Sequence, residues 1–535
     1  MSGKATETKN ILEDAIRPQT LEKKAATKNS LLRLFFVAVI VLIQVMFFAY
    51  FLFLFRQKYT WIAASLRVFA LFLVLGIYSQ DKTPSMKMPW ILLIVLSPIA
   101  GSLLYLMVGL SGSTWRMRRR YTKEDNKLFP ILKQKRSKIE EAAVLSPPAA
   151  STMNYIEKIA CFPAYDDSDI EFFPDAAAAL EEQLKELSRA EKFIFMEYHA
   201  IEDKESFAPI KDILAEKAAE GVDVRVFYDD MGSIAFINGE FIKIMKDLGI
   251  KCRVFNPVTP LVNFFLNNRD HRKITVIDGR VGFTGGYNLA NEYFGLTRPY
   301  GHWKDTGVKI TGNAVRSLTA LFLEMWNAIR DEDRDDPDYS IFFPDLDYVQ
   351  QEPGTFIQPY GDSPLDNQPV GENVYMSIAN MSTKYAWFAT PYLIITDEMN
   401  RALCFAAERG VDVRIITPGI PDKRTVYSVT RSYYQRLVQH GVRIYEYSPG
   451  FIHAKQCVAD DMVATCGTIN LDYRSLYHHF ENGCLFYNCE AVKDMHDDFA
   501  EMFPQCREVT SDYIKIRGAF RVLWYHIIRF ISPLL

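Results

Sequence analysis

The chain has 535 residues, 49% of them hydrophobic and 24% charged, with a formal net charge of −4 and a mean hydropathy of −0.05. That length exceeds one ordinary domain, the apolar share excludes wholesale disorder, and the near-neutral balance excludes attachment to nucleic acid by bulk charge. The 8 cysteines form no C-x-x-C pair and no zinc-finger spacing, so reduced thiols are expected and a structural metal is not.

Residues 1–33 read as a cytoplasmic tail. Leu34–Phe55 carries no charge, and at 1.5 Å per residue it reaches roughly 33 Å, the thickness of a bilayer core. Pro89–Leu110 is a second uncharged run, interrupted by Pro98 and Gly101. Between them Trp61–Tyr78 is apolar except for Arg67, whose burial at mid-membrane costs at least ~2.5 kcal/mol. Residues 34–112 therefore read as a membrane segment of two or three hydrophobic helices. Lys23, Lys24, Lys28 and Arg33 precede it, and Arg116, Arg118, Arg119, Arg120 and Lys123 follow it. Basic flanks on both sides place both ends in the cytoplasm. The expectation is a multi-pass cell-membrane protein with two true spans, one interfacial or re-entrant segment, and its body on the cytoplasmic side. Residues 113–150 read as a basic linker that also attracts anionic lipid headgroups.

From about residue 150 the pattern is α/β, with short β-branched or aromatic runs alternating with amphipathic helices. It is then repeated. Ala218-Ala219-Glu220-Gly221-Val222-Asp223-Val224-Arg225 returns as Ala406-Ala407-Glu408-Arg409-Gly410-Val411-Asp412-Val413-Arg414. Leu248-Gly249-Ile250-Lys251 has its counterpart in His440-Gly441-Val442-Arg443. A single repeat at this long period is a duplication, not a solenoid. The halves are placed at 151–340 and 341–512, joined by the acidic run Asp331–Asp338, which reads as a solvated linker. Residues 513–535 mix apolar and basic positions and read as an interfacial amphipathic helix, with docking on the protein as the alternative. A copy-one insertion between Pro257 and Asp270 is apolar enough to dip into lipid, with packing on the domain as the alternative.

Each half carries the same chemistry at the same place. His271-Arg272-Lys273 with Asp278, and His453-Ala454-Lys455 with Asp460, both read H-x-K-x-x-x-x-D. Gly285 and Gly467 follow the histidines by 14 positions, and Asn288 and Asn470 by 17. One such motif is weak; two in register, in a chain with 9 histidines, are specific. Strand alternation puts His and Lys on one face. The following Gly-x-x-Asn, with Thr468 in copy two, looks like a turn into a helix whose N–H groups and amide bind phosphate oxygens. Neither H-E-x-x-H nor a P-loop is present, so no metal or cofactor is expected. The cations themselves would offset phosphoryl charge, one His attacking phosphorus and the other protonating the leaving oxygen.

The paired motifs resemble those of the phospholipase D superfamily. His271–Asn291, Trp303-Lys304-Asp305-Thr306, Pro391-Tyr392, Gly467–Ser475 and the Pro89–Gly109 segment narrow the resemblance to bacterial cardiolipin synthases, over roughly residues 34 to 535. It implies two pseudo-symmetric α/β halves, each a mixed sheet flanked by helices, behind N-terminal transmembrane helices. It also implies phosphatidyl transfer between two phosphatidylglycerol molecules through a phosphatidyl-histidine, giving cardiolipin and glycerol. His271 would be the nucleophile and His453 the acid and base, although pseudo-symmetry leaves the roles exchangeable. Lys273, Lys455, Asn288, Asn470 and Thr468 would hold phosphate. Each His would have an acidic partner, Asp305 for the first copy and Glu481 for the second. Asp278 and Asp460 complete the motif, with a local role in their own loops as the competing reading. Glu197, Tyr198 and Tyr392 line the pocket or pack behind it. Partners are membrane phospholipids and no nucleic acid; an oligomer is possible. The other enzyme readings are a phospholipase D-type hydrolase and a phosphatidylserine synthase.

Overall fold

The computed structural model describes residues 60–109, 114–134, 138–237, 239–257, 268–329, 338–515 and 518–534, together with Asp336 and four isolated positions between 39 and 50. The apolar insertion at 258–267 and almost all of Leu34–Phe55 lie outside the described residues.

Two mixed sheets carry the duplication. In the first the strand order is Ser168–Phe173, Gly307–Gly312, Val281–Gly285, Lys273–Ile277, Phe193–Tyr198, Asp223–Asp229, Lys251–Phe255. In the second it is Phe356–Asp362, His479–Tyr487, Val463–Gly467, Gln456–Ala459, Tyr385–Ala389, Asp412–Pro418, Arg443–Tyr447, with Cys506–Glu508 added at the edge. The repeated Val-Asp-Val-Arg phrases open equivalent strands, each parallel to its neighbours because a helix supplies the crossover.

The halves share one core. Val315–Ala328, the last helix of the first half, is buried along nearly its whole length. It packs against Phe356–Asp362 of the second half as well as against its own sheet, and Phe322 stacks on Phe195 at 4.5 Å. Glu490–Met502 does the reciprocal thing, packing on Ser168–Phe173. Two short parallel ribbons also cross between the halves. Arg269–Asp270 pairs with His479–Phe480, and His302–Lys304 pairs with Gly450–Ile452.

Among the described residues no helix is long and apolar enough to cross a membrane. Pro89–Leu110 is not one helix: Pro84–Leu96 ends at Ser97, and Pro98–Leu104 with the π-turn Tyr105–Gly109 folds back on it. Pro98 drives its predecessor out of helical geometry, and Ser97 sits at φ −138°. Gly101 permits the close return, since a Cβ there would lie 2.5 Å from the Leu93 carbonyl oxygen. The basic linker is not a free connector. Thr114–Leu132 is a 19-residue helix docked on Val315–Ala328, with Tyr121, Leu128 and Leu132 on its buried stripe. The acidic linker is not wholly solvated either, because Asp336 makes a buried two-pronged ion pair with Arg225, 2.7 Å at each prong.

At the C-terminus the helix docks on the protein and keeps an apolar face exposed. Ala519–Ile531 docks on Arg424–Gln439 through Tyr525 and Ile528, while Phe520, Leu523, Trp524 and Ile527 stay exposed.

Asp278 and Asp460 belong to this architecture. Each sits in the left-handed region, at φ 53° and 54°, in the turn ending the strand of its motif. Asp278 accepts from the N–H groups of Glu191, Lys192 and Phe193 at 2.8–2.9 Å. Asp460 accepts likewise from Thr383, Lys384 and Tyr385 at 2.7–2.9 Å. They stand outside the chemistry and serve their own turns, because seven residues of extended chain separate each from its histidine by roughly 20 Å. Asp278→Ala orphans three N–H groups and is expected to lower unfolding free energy by about 2–4 kcal/mol. Asp278→Asn, which keeps an acceptor, should lose less. An unchanged denaturation midpoint for the alanine variant would sink this role.

Candidate active site

The crossing ribbons place the two histidines. His271 donates its backbone N–H to Phe480 O at 2.9 Å, and His453 donates to Lys304 O at 2.7 Å. Each motif His therefore lies alongside the other half's chain, next to the residue that follows the ribbon there. That residue is Glu481 beside His271 and Asp305 beside His453. The ring contacts follow: His271 Nδ1 lies 2.9 Å from Glu481 Oε2, and His453 Nδ1 lies 2.6 Å from Asp305 Oδ2. The expected pairing within each half is thus reversed. Each imidazole is held by the acid of the opposite half, because parallel pairing across the pseudo-dyad brings those segments together.

His271 and His453 precede their strands, Lys273 opens its strand opposite Tyr198 and Lys455 stands one residue before Gln456–Ala459, and alternation still turns the residue between away. Lys273 donates to His271 O at 2.7 Å. Lys455 Nζ lies 2.7 Å from His453 Nδ1 and also bonds its carbonyl oxygen. Arg272 points the other way, into the core, pairing with Glu324 at 3.0 Å. Burial pushes the His271 ring well below its ordinary value, and Lys273, His199, Lys455 and His453 press it further. His453 is held at about 4 by burial and Lys455, opposed by Asp305. The ammonium groups are also pushed down by burial, Lys273 to about 8 and Lys455 to about 7. Burial raises the Asp305 carboxyl, but Lys455 and His453 hold it below the usual carboxylate range. Lysines of both halves act on histidines of both halves, so there is one site, not two.

The remaining expected residues divide. Asn288 is engaged at both ends, accepting from Ala200 N–H at 3.1 Å and donating to Tyr293 Oη at 2.8 Å. Asn470 has a buried Oδ1 without a partner. Thr468 does not line the site. It is fully buried, donates to Glu481 Oε2 at 2.5 Å, and accepts from Asn482 N–H at 2.9 Å, so it braces the acid instead of phosphate. Its counterpart Gly286 carries no hydroxyl for a steric reason: a Cβ there would lie 2.1 Å from Asp305 Oδ1. The longer Glu with Thr, and the shorter Asp with Gly, are two solutions to one packing problem. The expected turn into a helix is also altered. Copy one has only the 3₁₀ turn Asn291–Phe294, and copy two delays its helix to Tyr473–Tyr477.

Glu197 and Tyr198 pack behind the site, fully buried, Tyr198 bonded to Thr275 at 3.0 Å. Tyr392 donates to Asp422 at 2.6 Å beside Phe451. Sequence reasoning passed over His199 and His479, whose rings lie 4.9 and 5.4 Å from that of His271. It also missed the aromatic wall around His453, formed by Tyr293, Trp303 and Phe451 at 5.2–5.9 Å. The signal was the histidine count: four of the 9 converge here.

With that geometry in place, the kinship is clear. The family model described as "Cardiolipin synthase, PLD-like domain" matches residues 184–326 and 375–503, and "Phospholipase_D-nuclease N-terminal" matches 66–109. An uncharacterised protein of Streptococcus mutans is 39% identical over 459 residues, 85% of this chain and 98% of that one. A protein named cardiolipin synthase from Alkalihalophilus pseudofirmus is 31% identical over 485 residues, 89% of this chain and 95% of its own. Among solved structures, a phosphatidylserine synthase of Haemophilus influenzae shares the fold, with a TM-score of 0.55 and 14% identity, over 72% of this chain and 99% of that one. A duplicated α/β unit with one shared histidine site defines the phospholipase D class. Within it, this chain belongs to the cardiolipin synthase, PLD-like family.

Two outcomes follow. Gly286→Ala should displace Asp305 from His453 and reduce kcat by at least about tenfold, with KM moving less. A variant with unaltered kcat would remove Asp305 from that role. Burial also holds His199 at about 3, helped by Lys273, against roughly 6.5 in an unfolded chain. Below about pH 6.5 the unfolded state takes up a proton that the folded state refuses, so this contribution to stability is lost as pH falls toward 3. Between pH 6 and 4 the wild type should lose up to about 1.4 kcal/mol per pH unit more than His199→Gln in denaturant titrations. Equal losses would show that His199 does not stay neutral in the folded protein.

Proposed function

We propose that this protein is a cardiolipin synthase, a phosphatidyltransferase that joins two phosphatidylglycerol molecules into cardiolipin and glycerol. One observation carries the reading. Two buried, uncharged imidazoles from opposite halves, each oriented by a carboxylate through Nδ1, face one site that also holds two lysines. A neutral imidazole whose Nδ1–H is donated presents the Nε2 lone pair, which is what a nucleophile needs.

In this mechanism His271 Nε2 attacks the phosphorus of phosphatidylglycerol. The P–Nε2 bond forms as the bond to the glycerol oxygen breaks, and His453 delivers a proton to that oxygen. Glu481 stabilises the positive charge that develops on His271. The arriving phosphodiester is an anion in a buried setting, and it raises the pKa of His453 so that the ring can hold the proton it delivers. In the second half-reaction His453 takes the proton from a headgroup hydroxyl of another phosphatidylglycerol. The resulting oxygen nucleophile displaces His271 and closes the phosphodiester of cardiolipin. Lys273 and Lys455, with Asn288 and Asn470, hold the non-bridging oxygens. The aromatic wall around His453 keeps water from the leaving-group side and favours an alcohol acceptor over hydrolysis.

We place the enzyme at the cell membrane, its body on the cytoplasmic face. Support comes from the uncharged run at 34–55, from the basic residues flanking the membrane section, and from exposed Phe72, Leu75, Val95 and Leu96 on the N-terminal helices.

The test is purified protein in detergent micelles containing phosphatidylglycerol alone. Cardiolipin and free glycerol should appear in equal amounts, with no added metal. His271→Ala and His453→Ala should each lower the rate by at least about a thousandfold, as loss of a covalent or acid/base catalyst does. A phospho-adduct trapped after rapid quenching should sit on His271. Phosphatidic acid as the main product would replace this reading with hydrolysis, and a product made only with serine would replace it with serine transfer.

A further inference from the structure

His479 has no part in the mechanism above, yet it is placed as a ligand. Among the described residues neither of its ring nitrogens has a hydrogen-bond partner, and neither has Glu481 Oε1, which lies 3.5 Å from His479 Nδ1. The other oxygen of the same carboxylate lies 2.9 Å from His271 Nδ1. The three side chains offer ligand atoms that all lie within 4.8 Å of one another, in a buried setting. In a tetrahedral zinc site with bonds of about 2.0–2.1 Å, neighbouring ligand atoms stand roughly 3.4 Å apart. The spacings from the two imidazoles to the carboxylate, one to each oxygen, bracket that value, and the third lies within 4.8 Å.

We propose that His271, His479 and Glu481 form an inhibitory site for a borderline transition-metal dication such as Zn²⁺, which switches the enzyme off by capturing its nucleophile. Two imidazoles and a carboxylate are a donor set suited to zinc, leaving a fourth position for water. The mode of inhibition follows from the tautomer. In the active ring the proton sits on Nδ1, shared with Glu481, and the lone pair is on Nε2. A metal bound at Nδ1 requires the other tautomer, so the Nδ1 proton moves to Nε2. No proton is lost overall, but the lone pair that would attack phosphorus is then occupied by hydrogen. Lys273 and Lys455 oppose a cation here, so binding is reversible and antagonistic to substrate. Phosphate in the site draws the lysines to itself, and the metal draws His271 away.

This proposal takes the role of His271 from the proposed function; the binding itself does not depend on it. The test uses the full-length protein in the same micelles. Co²⁺ titration should give the visible absorption of a low-coordinate nitrogen and oxygen site, at one equivalent, displaced by Zn²⁺. Zn²⁺ should inhibit phosphatidyl transfer, and EDTA should restore it. His479→Asn, measured against its own metal-free rate, should lose the Co²⁺ absorption and need at least about tenfold more Zn²⁺ for half-inhibition. Because the lipid is common to both proteins, Zn²⁺ bound by headgroups cancels in the comparison. Equal Zn²⁺ sensitivity of wild type and variant would overturn the proposal. So would the absence of a saturable Co²⁺ signal, or Co²⁺ binding that leaves transfer untouched. If wild type makes no cardiolipin without metal, the proposed function fails while the Co²⁺ titration still decides whether the site exists.

Discussion

The constraint on which the rest depends is the exchange of short strands between the halves. Arg269–Asp270 lies along His479–Phe480, and His302–Lys304 along Gly450–Ile452. These ribbons are only two or three residues long, too short to be stable alone. They are held because they grow out of two sheets already pinned by a shared core, with Val315–Ala328 and Glu490–Met502 each packed on the other half's first strand. The exchange has a chemical consequence. An imidazole from one half meets a carboxylate from the other, so neither half can orient its own histidine. The duplication yields a single site with two non-equivalent poles instead of two copies of one site.

Non-equivalence at those poles rests on small differences. On the His271 side the acid is a glutamate braced by Thr468, and the neighbouring rings are imidazoles, His199 and His479. On the His453 side the acid is an aspartate pressed against Gly286, and the neighbouring rings are Tyr293, Trp303 and Phe451. A polar surround of this kind tolerates positive charge on an imidazole. A dry aromatic surround suits a ring that exchanges a proton with an alcohol oxygen and must not exchange it with water. Environment, more than the motif itself, breaks the symmetry of H-x-K.

Much of this was legible in the sequence, and what was not has physical causes. The strands after Gly221 and Gly410 could be read because each glycine ends a helix just before a β-branched run, and both sit at positive φ, 92° and 95°. The site residues could be read because a duplicated spacing is a strong statistic. Which acid serves which histidine could not, since that depends on register across a pseudo-dyad and local spacing carries no trace of it. Thr468 looked like a phosphate ligand because its position beside Gly467 is the only thing sequence reports; that its hydroxyl faces Glu481 is a matter of depth. The Thr114–Leu132 helix was hidden by its own basic residues, whose charge outweighed the apolar stripe of Tyr121, Leu128 and Leu132.

Two elements outside the sheets meet at one carboxylate. Asp397, at the start of the helix Asp397–Glu408, is approached by Ser85 of the N-terminal section at 3.3 Å. Arg436 approaches it at 3.3 Å and Arg529 of the C-terminal helix at 3.5 Å. None of these exposed contacts is worth much singly. Their importance is geometric, because they join at one point two apolar elements that stand outside the sheets. Pro84–Leu96 and Ala519–Ile531 touch each other and leave Met88, Leu92, Phe520 and Leu523 exposed. An apolar surface built from these two elements, fixed to the body by the Asp397 contacts and by the docked face of Ala519–Ile531, is costly in water and favourable at a bilayer. It would hold the body at a fixed distance and tilt from its substrate. A two-lipid reaction needs that constraint, because both headgroups must arrive from the same plane.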